Sequence, residues 1–182
     1  MLTFWHYGYE GASVALLTEA MGLSPASLYA AFGSKEALYR EALRLYGPSL
    51  PRPARGGESI YGQLEQLLRS AALRFTEPDH PPGCMMLTGS LRCGADASGA
   101  AQAAAEVRAE RLAAMSAWFE QAKAAGDLAP QVDANGLAHF YMAVLQGMSV
   151  QAIDGADAAT LLRIGDHALS QWPGAHEAPV HA

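Results

Sequence analysis

GYEGASVALLTEAMGLSPASLYAAFGSKEALYREAL, Gly8 to Leu43, reads as three short helices set apart by glycine turns. Ser13 caps a helix running to about Met21, with Val14, Leu17 and Met21 on its inward side. Gly22-Leu23-Ser24 follows as a tight turn. Ser24 caps the second helix, and Pro25 takes the first helical position, where a missing N–H leaves no donor unsatisfied. Leu28 and Phe32 point inward, and the helix ends near Gly33. Ser34 starts a third helix whose buried stripe is Leu38, Ala42 and Leu45, and Gly47-Pro48 stops it.

Outward from this head, residues 47–57 (GPSLPRPARGG) read as a linker, because proline-restricted turns and glycines interrupt any helical period. A larger body follows over 58–172. Its first helix spans about 58–77, with Ile60, Leu64, Leu67, Leu68, Ala71 and Phe75 at helical spacing. A short helix around Cys84–Leu91 comes next, then a long Ala-rich one of about 98–125 with Arg108, Leu112, Met115 and Phe119 on one face. Asp133 caps a helix carrying Leu137, Phe140, Tyr141, Val144, Leu145 and Met148, and a last helix over about 156–171 buries Leu161, Ile164, Ala168, Leu169 and Trp172. No strand-like alternation occurs. The expected fold is all-α: a helix-turn-helix head on 1–46, its first helix shortened to the stub Leu2–Tyr7 before Gly8, and a helical-bundle body, with a frayed tail over 173–182.

At 182 residues and 51% apolar content, the chain can build one sizeable core or a small module beside a larger one. The net charge of −6 is unevenly placed. Residues 1–55 hold five Lys/Arg against four Asp/Glu, and residues 56–182 hold seven against fourteen, so the acidic excess belongs to the body. No stretch is long and apolar enough for a membrane span and no basic leader precedes an apolar run, which points to a cytoplasmic protein without a membrane partner. Cys84 and Cys93 make no disulfide framework and no metal-ligand cluster. Neither a phosphate-binding glycine loop nor a cofactor signature is present. A Cys84, His139 and Asp166 assembly is the nearest approach to catalytic machinery, and nothing in its spacing requires it.

Two short helices across a glycine turn have the dimensions of a helix-turn-helix, whose second helix enters the DNA major groove N-terminus first. The pieces Gly8-Tyr9, Ser13, Gly22-Leu23-Ser24, Leu28-Tyr29 and Phe32-Gly33-Ser34-Lys35-Glu36-Ala37-Leu38 together closely resemble the DNA-binding head of the TetR/AcrR family of bacterial regulators. The resemblance implies that Ser13, Ser24, Tyr29 and Lys35 approach phosphates while Ala26 and Ser27 face the groove. The serines also serve as helix caps, and Tyr29 and Lys35 admit plainer readings as a core-edge aromatic and a solvated lysine. Ala30 and Ala31 stand where the family often carries larger or polar side chains, so Ala31 reads no base and Ala30 offers at most an apolar contact to a thymine methyl.

By the same resemblance the body forms a homodimer and holds a small apolar or amphipathic effector, whose binding releases a repressor from a palindromic double-stranded DNA operator. Phe75, Met86, Met115, Trp118, Phe119, His139 and Tyr141 are candidate pocket residues, being large, adaptable or half-polar, and core packing accounts for any one of them equally well. Phe140, Val144, Met148, Leu161, Ala168 and Trp172 are candidates for the dimer interface. Gly83–Leu91 resembles a Gly-Cys-Leu-Leu stretch in one branch of the family, and there Cys84 is either a reactive thiol or a buried structural one. An alternative reading is a dimeric small-molecule-binding protein whose head, lacking a full first helix, binds DNA poorly.

Overall fold

The computed structural model describes residues 1–47, 59–88 and 98–174. Nine helices and no strand occur among the described residues: α1 (Leu2–Gly11), α2 (Val14–Met21), α3 (Pro25–Phe32), α4 (Lys35–Tyr46), α5 (Ile60–Phe75), α6 (Met85–Thr88), α7 (Ser98–Ala125), α8 (Ala134–Ile153) and α9 (Ala158–Leu169). The expected linker from residue 48 on, the end of the Cys84–Leu91 helix, Cys93 and the tail beyond residue 174 lie outside the described residues.

Helix starts follow local chemistry. Ser13, Ser24, Ser34, Ser59, Asp133 and Asp157 each accept a hydrogen bond from the backbone N–H three residues on, satisfying a donor that the first turn leaves free. The α2–α3 turn depends on Gly22, whose φ of 63° is left-handed. With Gly22 in that conformation, Leu23 N–H donates to the Thr18 carbonyl at 3.0 Å and closes the end of α2.

The chain divides into two compact units, Met1–Pro48 with Glu77–Glu110 and Ser49–Thr76 with Arg111–Ala182, so the long α7 begins in the first and ends in the second. In the first unit α4 turns Leu38, Tyr39, Ala42, Leu43 and Tyr46 inward. Phe4 and Trp5, from the stub before Gly8, are buried against that face: Phe4 meets Tyr39 edge-on at 5.0 Å and Trp5 meets Tyr46 edge-on at 4.9 Å. Trp5 also stacks at 4.1 Å on His80. Gly8, at φ 69° and ψ 178°, breaks α1 between the stub and Tyr9.

Two expected core positions in this unit are exposed instead. Leu45 is 76% exposed: the buried residues of α4, Leu38, Tyr39, Ala42, Leu43 and Tyr46, centre on the line between Ala42 and Tyr46, and Leu45 lies about 90° round the helix from that line. Met21 is 38% exposed, since α2 buries Leu17 and Thr18 and ends before another inward turn is complete.

The second unit packs α5, α8 and α9 on one another. Gly165 lets α9 approach α5 closely, since a Cβ there would stand 3.4 Å from that of Leu68. Ile60, Leu64, Leu68, Ala72 and Phe75 form the buried face of α5, and Leu161, Ala168, Leu169 and Trp172 complete the core from the C-terminal side.

Candidate nucleic-acid interface and aromatic core

Helix α3 leaves Ala26, Ser27, Tyr29, Ala30 and Ala31 exposed while Leu28 is buried. Ser24 Oγ accepts from Ser27 N–H at 3.1 Å and lies 2.9 Å from Ser27 Oγ, which holds both hydroxyls at the exposed N-terminus of α3. The small side chains beside them let this end of the helix come close to a partner surface, and the N-terminal backbone donors favour anions. Tyr29 is 47% exposed. Ser13, at the start of α2, is exposed, and its Oγ accepts from Leu16 N–H at 3.2 Å.

Lys35 is not a freely solvated lysine. Its Nζ lies 4.5 Å over the ring centroid of Tyr9 and donates to the Glu10 carbonyl at 3.5 Å, so the first residue of α4 braces the end of α1. Burial lowers its pKa from the ordinary lysine value, and the nearby Glu10 charge opposes that shift. Sequence reasoning missed this brace and two further contacts in the same unit. Arg40 on α4 reaches Glu106 on α7 at 3.1 Å, and Arg108 on α7 donates to the Met86 carbonyl at 3.0 Å. Each joins residues remote in sequence, and no local pattern marks them.

Of the pocket candidates, Phe75, Met115, Trp118, Phe119 and Tyr141 are buried in the second unit, while Met86 is buried in the first. Trp118 stacks on Phe119 at 5.4 Å, and Phe119 is 6.0 Å from both Tyr141 and Trp172. Trp172, expected at the dimer interface, belongs to this aromatic cluster. The Tyr141 hydroxyl donates to the Ala168 carbonyl at 3.2 Å, and burial raises its pKa well above the ordinary phenol value. His139 departs from expectation: it is exposed, because Ala138 and Tyr141 take the inward face of α8.

The interface candidates divide in the same way. Met148, Leu161, Ala168 and Trp172 are buried within the single chain, whereas Phe140 is 41% exposed and Val144 half-buried. Phe140, Ala143, Gly147 and Val150 recur at helical spacing on the face of α8 opposite Tyr141 and Met148, and all four are exposed. Cys84, just before α6, is a buried thiol outside any disulfide.

Residues 3–42 match the family described as bacterial regulatory proteins, tetR family, and residues 61–163 match the tetracyclin repressor-like C-terminal domain. The HTH-type transcriptional repressor ComR of Escherichia coli K12 is 32% identical over 181 residues, covering 95% of this chain and 85% of ComR. Among solved structures, a cysteine mutant of the TetR family transcriptional regulator CifR complexed with 26bp double-strand operator DNA superposes with a TM-score of 0.85 at 40% identity, covering 94% of this chain and 92% of that one. A TetR regulator from Rhodococcus sp. RHA1 gives 0.59 at 32% identity, with 94% of each chain covered. With both family regions matched in order, and a relative of this identity aligned over nearly the whole chain, the protein belongs to the TetR family of bacterial transcriptional regulators.

Proposed function

We propose that this protein is a homodimeric repressor that binds a palindromic operator through α3 and releases it when a small apolar or amphipathic molecule enters the aromatic core. The observation that carries the reading is the α2–Gly22–α3 geometry, with a capped, small-residue, solvent-facing helix start, in a chain so similar to one solved on operator DNA. Residues 1–46 read the DNA and 58–172 sense and dimerise. Ala26 and Ser27 approach base edges, while Ser13, Ser24 and Tyr29 contact phosphates; Lys35 joins them by swinging from Tyr9 to the backbone. With alanines at positions 30 and 31, discrimination rests on Ser27 and on DNA shape.

The exposed Phe140, Ala143, Gly147 and Val150 stripe supports pairing through α8, since small residues let two such helices approach closely around the phenylalanines. Met115, Trp118, Phe119 and Tyr141 supply a largely apolar effector site, in which the Tyr141 hydroxyl is engaged by the Ala168 carbonyl.

The test is fluorescence anisotropy at low salt with two labelled duplexes, one from the DNA upstream of the protein's own gene and one of scrambled sequence. The proposal expects preference for the first by at least about a thousandfold, and a dimer mass by sedimentation. Equal binding to both duplexes refutes the repressor reading and leaves the ligand-binding alternative.

A further inference from the structure

In the unit that carries the helix-turn-helix, one guanidinium meets three acceptors. Arg40 Nε and Nη2 reach Glu36 Oε1, one turn earlier on α4, at 3.3 and 3.2 Å. Its Nη1 reaches Glu106 Oε2 on α7 at 3.1 Å, and Nη2 also approaches the Gly99 carbonyl of α7 at 3.5 Å. The other oxygen of Glu106 accepts from Gln102 Nε2 at 3.0 Å, which fixes the carboxylate on its helix. Gly99 contributes by having no side chain: a Cβ there would overlap the Glu36 carboxylate and push it aside from the first turn of α7. The two attachment points on α7, Gly99 and Glu106, are about 10 Å apart along the helix. A planar fork held at two levels resists rotation of α4 as well as translation, which a point charge would not.

We infer that Arg40 is a positioning residue for DNA recognition: through Glu36, Glu106 and the Gly99 carbonyl it fixes α4, and the α3 reader packed on α4, against the first half of α7. The inference rests on the repressor reading. An operator demands that both heads of a dimer sit at a set separation, whereas random duplex is held by phosphate contacts that tolerate a loose head. Loosening α4 therefore costs operator affinity selectively.

The discriminating variant is Glu106→Gln. It preserves shape and removes a negative charge, so electrostatics alone would raise affinity for every DNA. The positioning role has the opposite sign for operator. In the two-duplex anisotropy experiment, Glu106→Gln is expected to bind the upstream duplex about fivefold more weakly and the scrambled duplex no more weakly, consistent with pairs that are 36% and 49% exposed. Arg40→Lys, which keeps the charge and loses the fork, should follow it. Gly99→Ala changes no charge and raises helix propensity, yet displaces Glu36, and should lose operator preference in the same direction.

Thermal melting separates this effect from damage to the fold. A rise in affinity for both duplexes with Glu106→Gln, or a fall for both duplexes that tracks a loss of Tm, overturns the inference. If the wild-type protein prefers the upstream duplex and the variants keep that preference, the inference fails alone. If the wild type shows no preference, the repressor reading fails and the inference falls with it.

Discussion

Replacing Tyr141 by Phe tests whether its hydroxyl is part of the fold or is free for an effector. The phenol is buried and donates to the Ala168 carbonyl at 3.2 Å, tying α8 to the end of α9. That carbonyl also accepts from the Gln171 N–H at 3.2 Å, so removing the hydroxyl leaves no acceptor orphaned. The cost is then the net worth of one neutral hydrogen bond, about 1 kcal/mol. For a chain of this size that lowers Tm by about 2–4 °C.

The pH dependence of Tyr141→Phe carries a sign. Burial raises the pKa of the Tyr141 phenol in the folded state above its ordinary value of 10.0. The folded state therefore keeps a proton that the unfolded chain releases. The stabilisation is complete below about pH 10 and is lost as pH rises through the folded value, at up to about 1.4 kcal/mol per pH unit. Tyr141→Phe has no such proton, so its deficit relative to wild type should shrink above about pH 10 and then reverse. Urea denaturation followed by circular dichroism, from about pH 7 to about pH 11, measures both effects. An unchanged midpoint at neutral pH, together with a gap that does not vary with pH, would refute the internal hydrogen bond and free the hydroxyl for a ligand.

Other substitutions probe the head and the pairing face. Ser24→Ala removes the cap that accepts from Ser27 N–H at 3.1 Å and should cost about 1 kcal/mol in thermal melting, along with part of the operator affinity. Tyr29→Phe should weaken operator and scrambled duplex by the same factor in anisotropy titrations, because a phosphate contact carries no sequence information; a selective loss for operator would make Tyr29 a base reader. Phe140→Glu places a charge on the proposed α8 pairing face and should give a monomer mass in sedimentation, with no loss of helical signal. Leu45→Glu, at a position 76% exposed, should change stability by less than about 0.5 kcal/mol in the same melts.

Local chemistry made much of this fold legible without coordinates. A serine or aspartate at a helix start, a glycine where the chain turns left-handed and an apolar period of 3.6 act within a few residues, so α2, α3 and α7 could be bounded from the sequence and the caps at Ser13, Ser24 and Asp133 named in advance. The exposed side of α3 was legible for the same reason, since Leu28 marks the inward side and Ala26, Ser27 and Tyr29 fall elsewhere on the helix.

Choosing which apolar residue faces a neighbour depended on partners far along the chain. Leu45 and Met21 fit a helical stripe but are exposed, while Met148, Leu161 and Ala168 are buried in the core of the single chain. The stub before Gly8 shows the same dependence, because Phe4 and Trp5 gain their burial from Tyr39, Tyr46 and His80 and not from the length of their helix. Arg40 and Glu106, 66 positions apart, carry no local signature at all. Helix starts, ends and turns could be read along the chain because contacts within a single turn set them; which faces meet followed only from the fold, because residues far apart in sequence make that choice once folding brings them together.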